Sequence, residues 1–412
     1  MSSLVPARKA WPLAVAVLAG LIALAVLVVA AGSAGKASGA GADDRRTVLV
    51  VGNNYDGTVD VINPRTFNRI ERLNLAKDYQ NCVDSTPPGQ APACTVNNEF
   101  ALEGNPQLVD DVRVAPNGHR LYVSRPSLGD VAAFDISREK LLWRVDVSGE
   151  RADHMALSED GGELIVSSTV DNRVNVIDTR EHEIVDNIVT GDFPHENEYS
   201  EDGELIYNGT IGRVIAPDDP ELDAGKGLRY FTVADAETHE VQQQVTIGNP
   251  PLGRGIRPFH VMPNDRIMYV QMSFYHGFWE YDLQREKILR KKELPRNELS
   301  RDLPREDYPL DSAHHGLALN GANTKLCDAG TVSNYVAVVK RRTLRTIEII
   351  DVGRKPYWAT TSASGKYCFV SNSDSDDVSV ISFRKAKEIE RFEVGNHPQR
   401  MRIVGIDADD IG

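Results

Sequence analysis

The sequence predicts an all-β, seven-bladed β-propeller of four-stranded blades, its ring closed by strands from both termini and preceded by an N-terminal hydrophobic helix. Three observations lead there. After Thr47 the chain is self-similar at a period of about 42 residues, the mark of solenoids, propellers and arrays. Each copy divides into four alternating apolar runs with turns between them, which is the content of one blade. Two incomplete copies at the ends complement each other: "TVLVVGNNYDGTVDVINPRTFNRIERLNL" lacks a first strand and "GNHPQRMRIVGID" supplies only a first strand.

The clearest copy spans 353–394, with runs "YWATTS", "YCFVSN", "DVSVIS" and "EIERFEV". Others read "VRVAPNGHRLYVSRPSLGDVAAFDISREKLLWRVDV", "HMALSEDGGELIVSSTVDNRVNVIDTREHEIVDNIV", "FHVMPNDRIMYVQMSFYHGFWEYDLQREKILRKKEL" and "GLALNGANTKLCDAGTVSNYVAVVKRRTLRTIEIIDV". A further copy from Gly191 carries the insertion "APDDPELDAGKG" before "LRYFTVADAETHEVQQQVTI". Six full copies and two partial ones make seven blades, and joining the partial ones removes the open sheet edges that invite aggregation.

The unit is similar to that of the YVTN-repeat β-propeller family, which runs Gly-x-x-Pro, Ser-Pro-Asp-Gly, a Tyr-Val strand and Val-x-Val-Ile-Asp. The matching stretches are "SEDG" at 158–161 and 200–203, "LYVS" at 121–124, "VNVID" at 174–178 and "VSVIS" at 378–382. The resemblance covers nearly all of 47–406. It implies the fold, and it favours a binding role because many members look like binding modules; propellers as a class host unrelated activities.

Residues 1–35 are expected to be a signal peptide or a membrane anchor helix, 36–46 a flexible linker, 47–406 the propeller and 407–412 a C-terminal tail. The uncharged run 11–35 follows Arg8 and Lys9 and is long enough to cross a bilayer, while small residues at Gly32, Ser33, Ala34 and Ala37 suit signal peptidase. Either way the propeller is expected outside the cytoplasm, anchored if the segment is uncleaved or secreted if it is cut. A formal charge of −14 argues against nucleic acid, whose phosphates are bound by Lys and Arg. A monomer is expected. In an exported chain cysteines pair readily: Cys82 and Cys94 flank a Pro- and Gly-rich loop that a local disulfide would restrict, while for Cys327 and Cys368 a bond and buried thiols both stand.

Aligning the copies on Gly-x-x-Pro compares equivalent places. The position after the Pro holds Asp153, His195, Phe259, His315, Tyr357 and Gln399, and the next holds His154, Glu196, His260, Gly316, Trp358 and Arg400. Four of the chain's 10 His fall in these places, where the innermost strand of each blade enters the channel. Imidazoles converging on one axis suit Cu, Zn, Fe or Mn, so His154, His195, His260 and His315 are candidate metal ligands. His154 and His260 stand one residue later than His195 and His315, and neighbours in a regular strand face opposite ways, so without a bulge only one pair points to the axis. Channel packing by bulky polar residues is the alternative.

Glu196 is the candidate general base. Arg257 and Arg400 suit an anion, Tyr357 and Trp358 a stacking wall, and Asp111, beside Asp110, lies near the same level in the second blade. Insertions near Cys82–Cys94, at 295–310, in "APDDPELDAGKG" and around His276 all emerge by chain direction on the rim where the His positions open, and embellished loops carry function in repeat folds. Two function classes follow. One is an extracytoplasmic binding module for a protein, a glycan or a small anion at the His-rich channel mouth; the other is a metal-dependent oxidoreductase or lyase using the axial His cluster.

Overall fold

The structure, a computed structural model, describes residues 44–87 and 104–412. Residues 1–35, most of the 36–46 linker and Cys94 lie outside the described residues. Among the described residues, no helix is long and apolar enough to cross a membrane.

Seven four-stranded antiparallel sheets make up the propeller. Blade 1 joins Arg45–Asn53, Thr58–Ile62 and Arg69–Asn74 to the last strand, Pro398–Asp407. Blades 2 to 7 follow in chain order over 112–146, 152–189, 194–245, 256–293, 317–351 and 356–393. Ring closure is therefore as the sequence predicts: Arg45 pairs with Asp407 and Leu49 with Ile403, so the pairing begins two residues before the expected start at 47 and ends one residue past the expected end at 406.

Burial explains the strand sequences. Second and third strands such as Tyr367–Asn372 and Asp377–Ser382 are buried on both sides, because each blade is covered on both faces by its neighbours. Both sides are accordingly apolar, as in any sheet covered twice. Outermost strands such as Lys287–Glu293 alternate between exposed and half-buried. Cores form between blades: Phe231 of blade 4 meets Phe259 of blade 5 edge to face at 5.1 Å. The glycine of Gly-x-x-Pro marks a close approach. A Cβ on Gly353 would stand 2.6 Å from Cβ of Asn372, and one on Gly395 2.5 Å from Nδ2 of Asn53, so each turn lies flat on the second strand of its own or the next blade.

The decisive local feature is a bulge at the head of the innermost strand. Pairing skips a residue at His195 in blade 4 and at Tyr357 in blade 7, and two residues oppose one at Asp153–His154, Arg257–Pro258 and Gln399–Arg400. A bulge turns adjacent side chains toward one side, which regular pleating forbids. Consecutive residues in those copies thus both reach the channel, and the alternation that would have admitted only one His pair does not apply.

Cys327 and Cys368 form a disulfide between the second strands of blades 6 and 7. Replacing both by Ala is expected to lower unfolding stability by about 2–4 kcal/mol, the usual range for a cross-link, read as a lower denaturant midpoint for the variant than for the unreduced parent.

Candidate channel site

Three of the four predicted imidazoles meet on the axis. The His154 and His195 rings lie 3.9 Å apart, His195 and His315 5.4 Å, and His154 and His315 6.5 Å. All three are at most 5% exposed. His260 does not join them; it lines a cavity on the other side of Glu196. Asp153, His154 and His195 offer ligand atoms that all lie within 4.8 Å of one another. Nε2 of His154 faces Asp153 Oδ1 at 3.3 Å and Asp110 Oδ2 at 3.7 Å, while Nδ1 of His195 is buried with no hydrogen-bond partner.

Glu196 is placed by the same bulge that places His195, and its Oε2 lies 2.6 Å from Nδ1 of His154. Nη2 of Arg400 approaches the same nitrogen at 2.9 Å. Burial holds His154 and His195 well below the ordinary imidazole range, and Arg400 adds to it, so both rings are neutral. A neutral Nδ1 either donates to an ionised Glu196 or accepts from Arg400 beside a protonated one. The first leaves the Nε2 lone pair facing Asp153; the second puts a proton there. Burial raises Glu196 to about 7, against the pull of Arg400 and Arg402, so both arrangements are accessible.

His315 is oriented by its own contacts. Nδ1 donates to the carbonyl of Tyr357 at 2.8 Å, which leaves the lone pair on Nε2, and its ring stacks on Tyr357 at 4.0 Å. Tyr357 thus stacks on an imidazole. Trp358 serves the cations: the guanidinium carbons of Arg400 and Arg402 lie 4.5 and 4.8 Å from its ring centre. Arg257 is wholly buried, donates Nε to Ser273 Oγ at 3.1 Å, and has an Nη1 without a partner.

Asp111 is an anchor. It accepts from Arg402 at 2.9 Å and from the backbone N–H of Met155 at 3.0 Å. Burial pushes its carboxyl up, but Arg113, Arg402 and Arg400 outweigh that and hold it low. Asp110 goes the other way, raised by burial against Arg400, with Asp153 reinforcing the rise.

Four participants escaped sequence reasoning: Arg402, Glu198, Arg113 and Arg151. Arg402 and Glu198 were within reach of it, because Arg400 and Arg402, like Glu196 and Glu198, are two apart on a strand and share a face. Arg151, 3.7 Å from Asp153 and bonded to Gln107 at 2.6 Å, precedes the aligned positions altogether. Arg113 lies on a strand whose Gly-x-x-Pro signal is absent.

A cavity of about 610 Å³ reaches Glu196 from below, lined also by Glu198, His260, Trp358 and Arg402 and, at its outer end, by Glu201 and Asn323. Those last two lie in turns joining first to second strands, so this cavity opens on the rim opposite the insertions. On the decorated rim, Lys226 of the 216–227 insertion pairs with Asp311 at 2.9 Å, and Tyr308 bonds His276 at 2.9 Å. The insertions of blade 4, blade 5 and the blade 5–6 connection therefore do share one rim. Of the first insertion, the helix α1 (Lys77–Ser85) is described, tied down by Asp78 to Arg125 at 2.8 Å.

No family model and no curated protein matches the chain. Among solved structures it is similar to one described as Kuenenia stuttgartiensis hydrazine synthase, with 18% identity, a TM-score of 0.56, and coverage of 79% of this chain and 89% of that one. At that identity the likeness is one of fold, and it agrees with the seven-bladed ring.

Burial raises the carboxyl of Glu198 to about 8, with Glu196 adding to the rise. A carboxyl raised on folding stabilises most below its unfolded value and loses that contribution as pH rises toward the folded value. Glu198→Gln is therefore expected to match the parent in thermal stability near pH 5 and to exceed it by at least about 1 kcal/mol near pH 8, measured by melts across that range.

Proposed function

We propose that this is an extracytoplasmic β-propeller, of the YVTN-repeat type, that binds a divalent transition-metal ion in the neck of its channel through Asp153, His154 and His195. The observation that carries the reading is the convergence of two neutral imidazoles and a carboxylate from neighbouring bulged strands, with a buried imidazole nitrogen of His195 left unbonded. Two imidazoles, one carboxylate and no thiolate suit Zn, Fe(II) or Mn better than Cu(I), which prefers sulfur. Glu196 fits as the partner that holds His154. A carboxylate accepting Nδ1–H fixes the tautomer that turns Nε2 toward a metal. In this reading Glu196 positions a ligand instead of acting as general base. His315 stands beside the set, 5.4 Å from His195 between ring centres, as an additional donor or as a hydrogen-bonding group to whatever the ion holds. Arg400, against His154, suits a small anionic ligand beside the ion.

A second reading, a metal-dependent enzyme, is favoured by the cavity of about 610 Å³ whose inner wall is Glu196. Ligand pockets of about 300–1,000 Å³ admit small organic molecules, and His260, Glu198 and Arg402 would line the approach. Export rests on the apolar run 11–35 and the cysteine pairing.

Metal content decides the first reading. The full chain purified from its host, or reloaded with Zn, Mn or Fe(II), is expected to hold about one ion per chain. The His154→Ala, His195→Ala double variant should hold none. A parent that stays metal-free after reloading, or a double variant that retains the ion, contradicts the assignment.

A further inference from the structure

Outside the channel, a second cavity of about 400 Å³ opens on the decorated rim between blades 4 and 5. Its walls come from the 216–227 insertion, from the 246–255 connection, from the Ser273–Phe274 turn and from the 295–310 connection. Four cationic side chains line it, Lys226, Arg229, Arg254 and Arg305, against two carboxylates, Asp223 and Asp311. In a chain of formal charge −14 this local excess of two positive charges is a reversal of sign.

The pairing inside the cavity shows where that excess sits. Arg229 is matched by Asp223 at 2.8 Å, and Lys226 by Asp311 at 2.9 Å and by Asp218 at 2.6 Å. Arg254 and Arg305 have no carboxylate within ion-pair distance among the described residues. Arg254 spends only Nε, on the carbonyl of Ser273 at 2.9 Å. Nε of Arg305 is buried without a hydrogen-bond partner, its guanidinium laid over Phe274 at 3.7 Å. Burial lowers the affinity of Arg254 for its proton, and the charge of Arg305 is the next cause, so the two cations feel each other across the cavity. Behind the wall, Arg257 adds another buried cation through Ser273.

The scaffold is built to hold these groups. Phe274 takes a left-handed backbone angle, φ 58°, uncommon for an aromatic residue, and is fixed by its N–H to the carbonyl of Asp311 at 2.9 Å. A Cβ on Gly253 would fall 2.1 Å from the carbonyl oxygen of Arg229, so only glycine lets the two connecting segments of the wall approach. Two uncompensated guanidiniums with forked donors match a doubly charged oxyanion. The volume exceeds what an inorganic ion fills, and Phe274, Ile211 and Pro220 give it an apolar side.

We infer that this rim cavity binds a small organic dianion, its oxyanion head held by Arg254 and Arg305 and its carbon portion against Phe274. The site is separate from the channel centre and needs no metal. Phosphomonoesters and dicarboxylates share the required chemistry, and titration with glycerol 3-phosphate, succinate and inorganic phosphate separates them.

Isothermal titration of the full chain in the presence of a chelator is expected to give saturable binding of at least one organic probe with a Kd below about 1 mM, tighter than inorganic phosphate. Arg305→Gln, a loop substitution checked for folding by its melt, should weaken it at least tenfold. Arg254→Lys, which keeps the charge and loses the fork, should weaken it by a smaller factor, and Lys366→Gln on a distant basic surface should leave it unchanged. No saturable binding, equal affinity in Arg305→Gln, equal loss in Lys366→Gln, or binding abolished by the chelator would each overturn the assignment.

Discussion

The channel depends on one backbone irregularity, the bulge at the head of the innermost strand in five of the seven blades. A regular strand would send one of every two neighbours toward the axis and the other into the interface between blades. With a bulge, Asp153 and His154 both enter the channel, and they meet His195 from the next blade. Because the strand is paired normally beyond the bulge, the residues two places further on, Glu198 and Arg402, still face the axis below. One local device, shared by five blades, stacks two levels of ionisable groups, the upper one buried and the lower one facing the cavity that opens on the undecorated rim.

Such crowding is unfavourable unless the charges are matched, since an unpaired buried charge costs several kcal/mol. Most of the match comes from the closing strand, with Arg113 of blade 2 adding to it at Asp111. Arg402 bonds Asp111 and, with Arg400, lies on Trp358. Both arginines belong to Pro398–Asp407, the strand that zips the C-terminal end onto blade 1. Ring closure and much of the charge compensation are therefore the same event: a ring lacking this strand would lose an edge partner and also leave Asp111, Glu196 and Glu198 without Arg400 and Arg402, with Arg113 of blade 2 alone remaining beside Asp111. This accounts for the opposite behaviour of adjacent carboxyls. Asp111 touches the guanidiniums and stays ionised, whereas Asp110 and Glu198, without comparable contacts, are driven toward the neutral form.

Much of this was legible in the sequence. Blade number, strand content and closure follow from the repeat, because each unit must find neighbours for both its faces. The enrichment of His after the Pro was also visible, and three of those four imidazoles do converge. His260 was out of reach of such reasoning. It sits in the same place as His154, but in blade 5 the bulge falls on Arg257 and Pro258, so His260 is past it and turns to the cavity below. The bond from Arg151 to Gln107 and the pairing of Cys327 with Cys368 depend on which blades are neighbours in space, which a repeat alignment does not report. The cation pair of the rim cavity joins Arg254, just before the Gly-x-x-Pro of blade 5, to Arg305 of the 295–310 insertion, which has no counterpart in other repeats and hence nothing to be aligned with.

Anomalous diffraction from crystals of the propeller equilibrated with Zn or Mn locates the ion directly. A single strong peak is expected in the neck of the channel, about 2.0–2.2 Å from Nε2 of His154, a nitrogen of His195 and a carboxylate oxygen of Asp153. A neck that stays empty while the ion collects only at surface carboxylates would contradict the metal assignment.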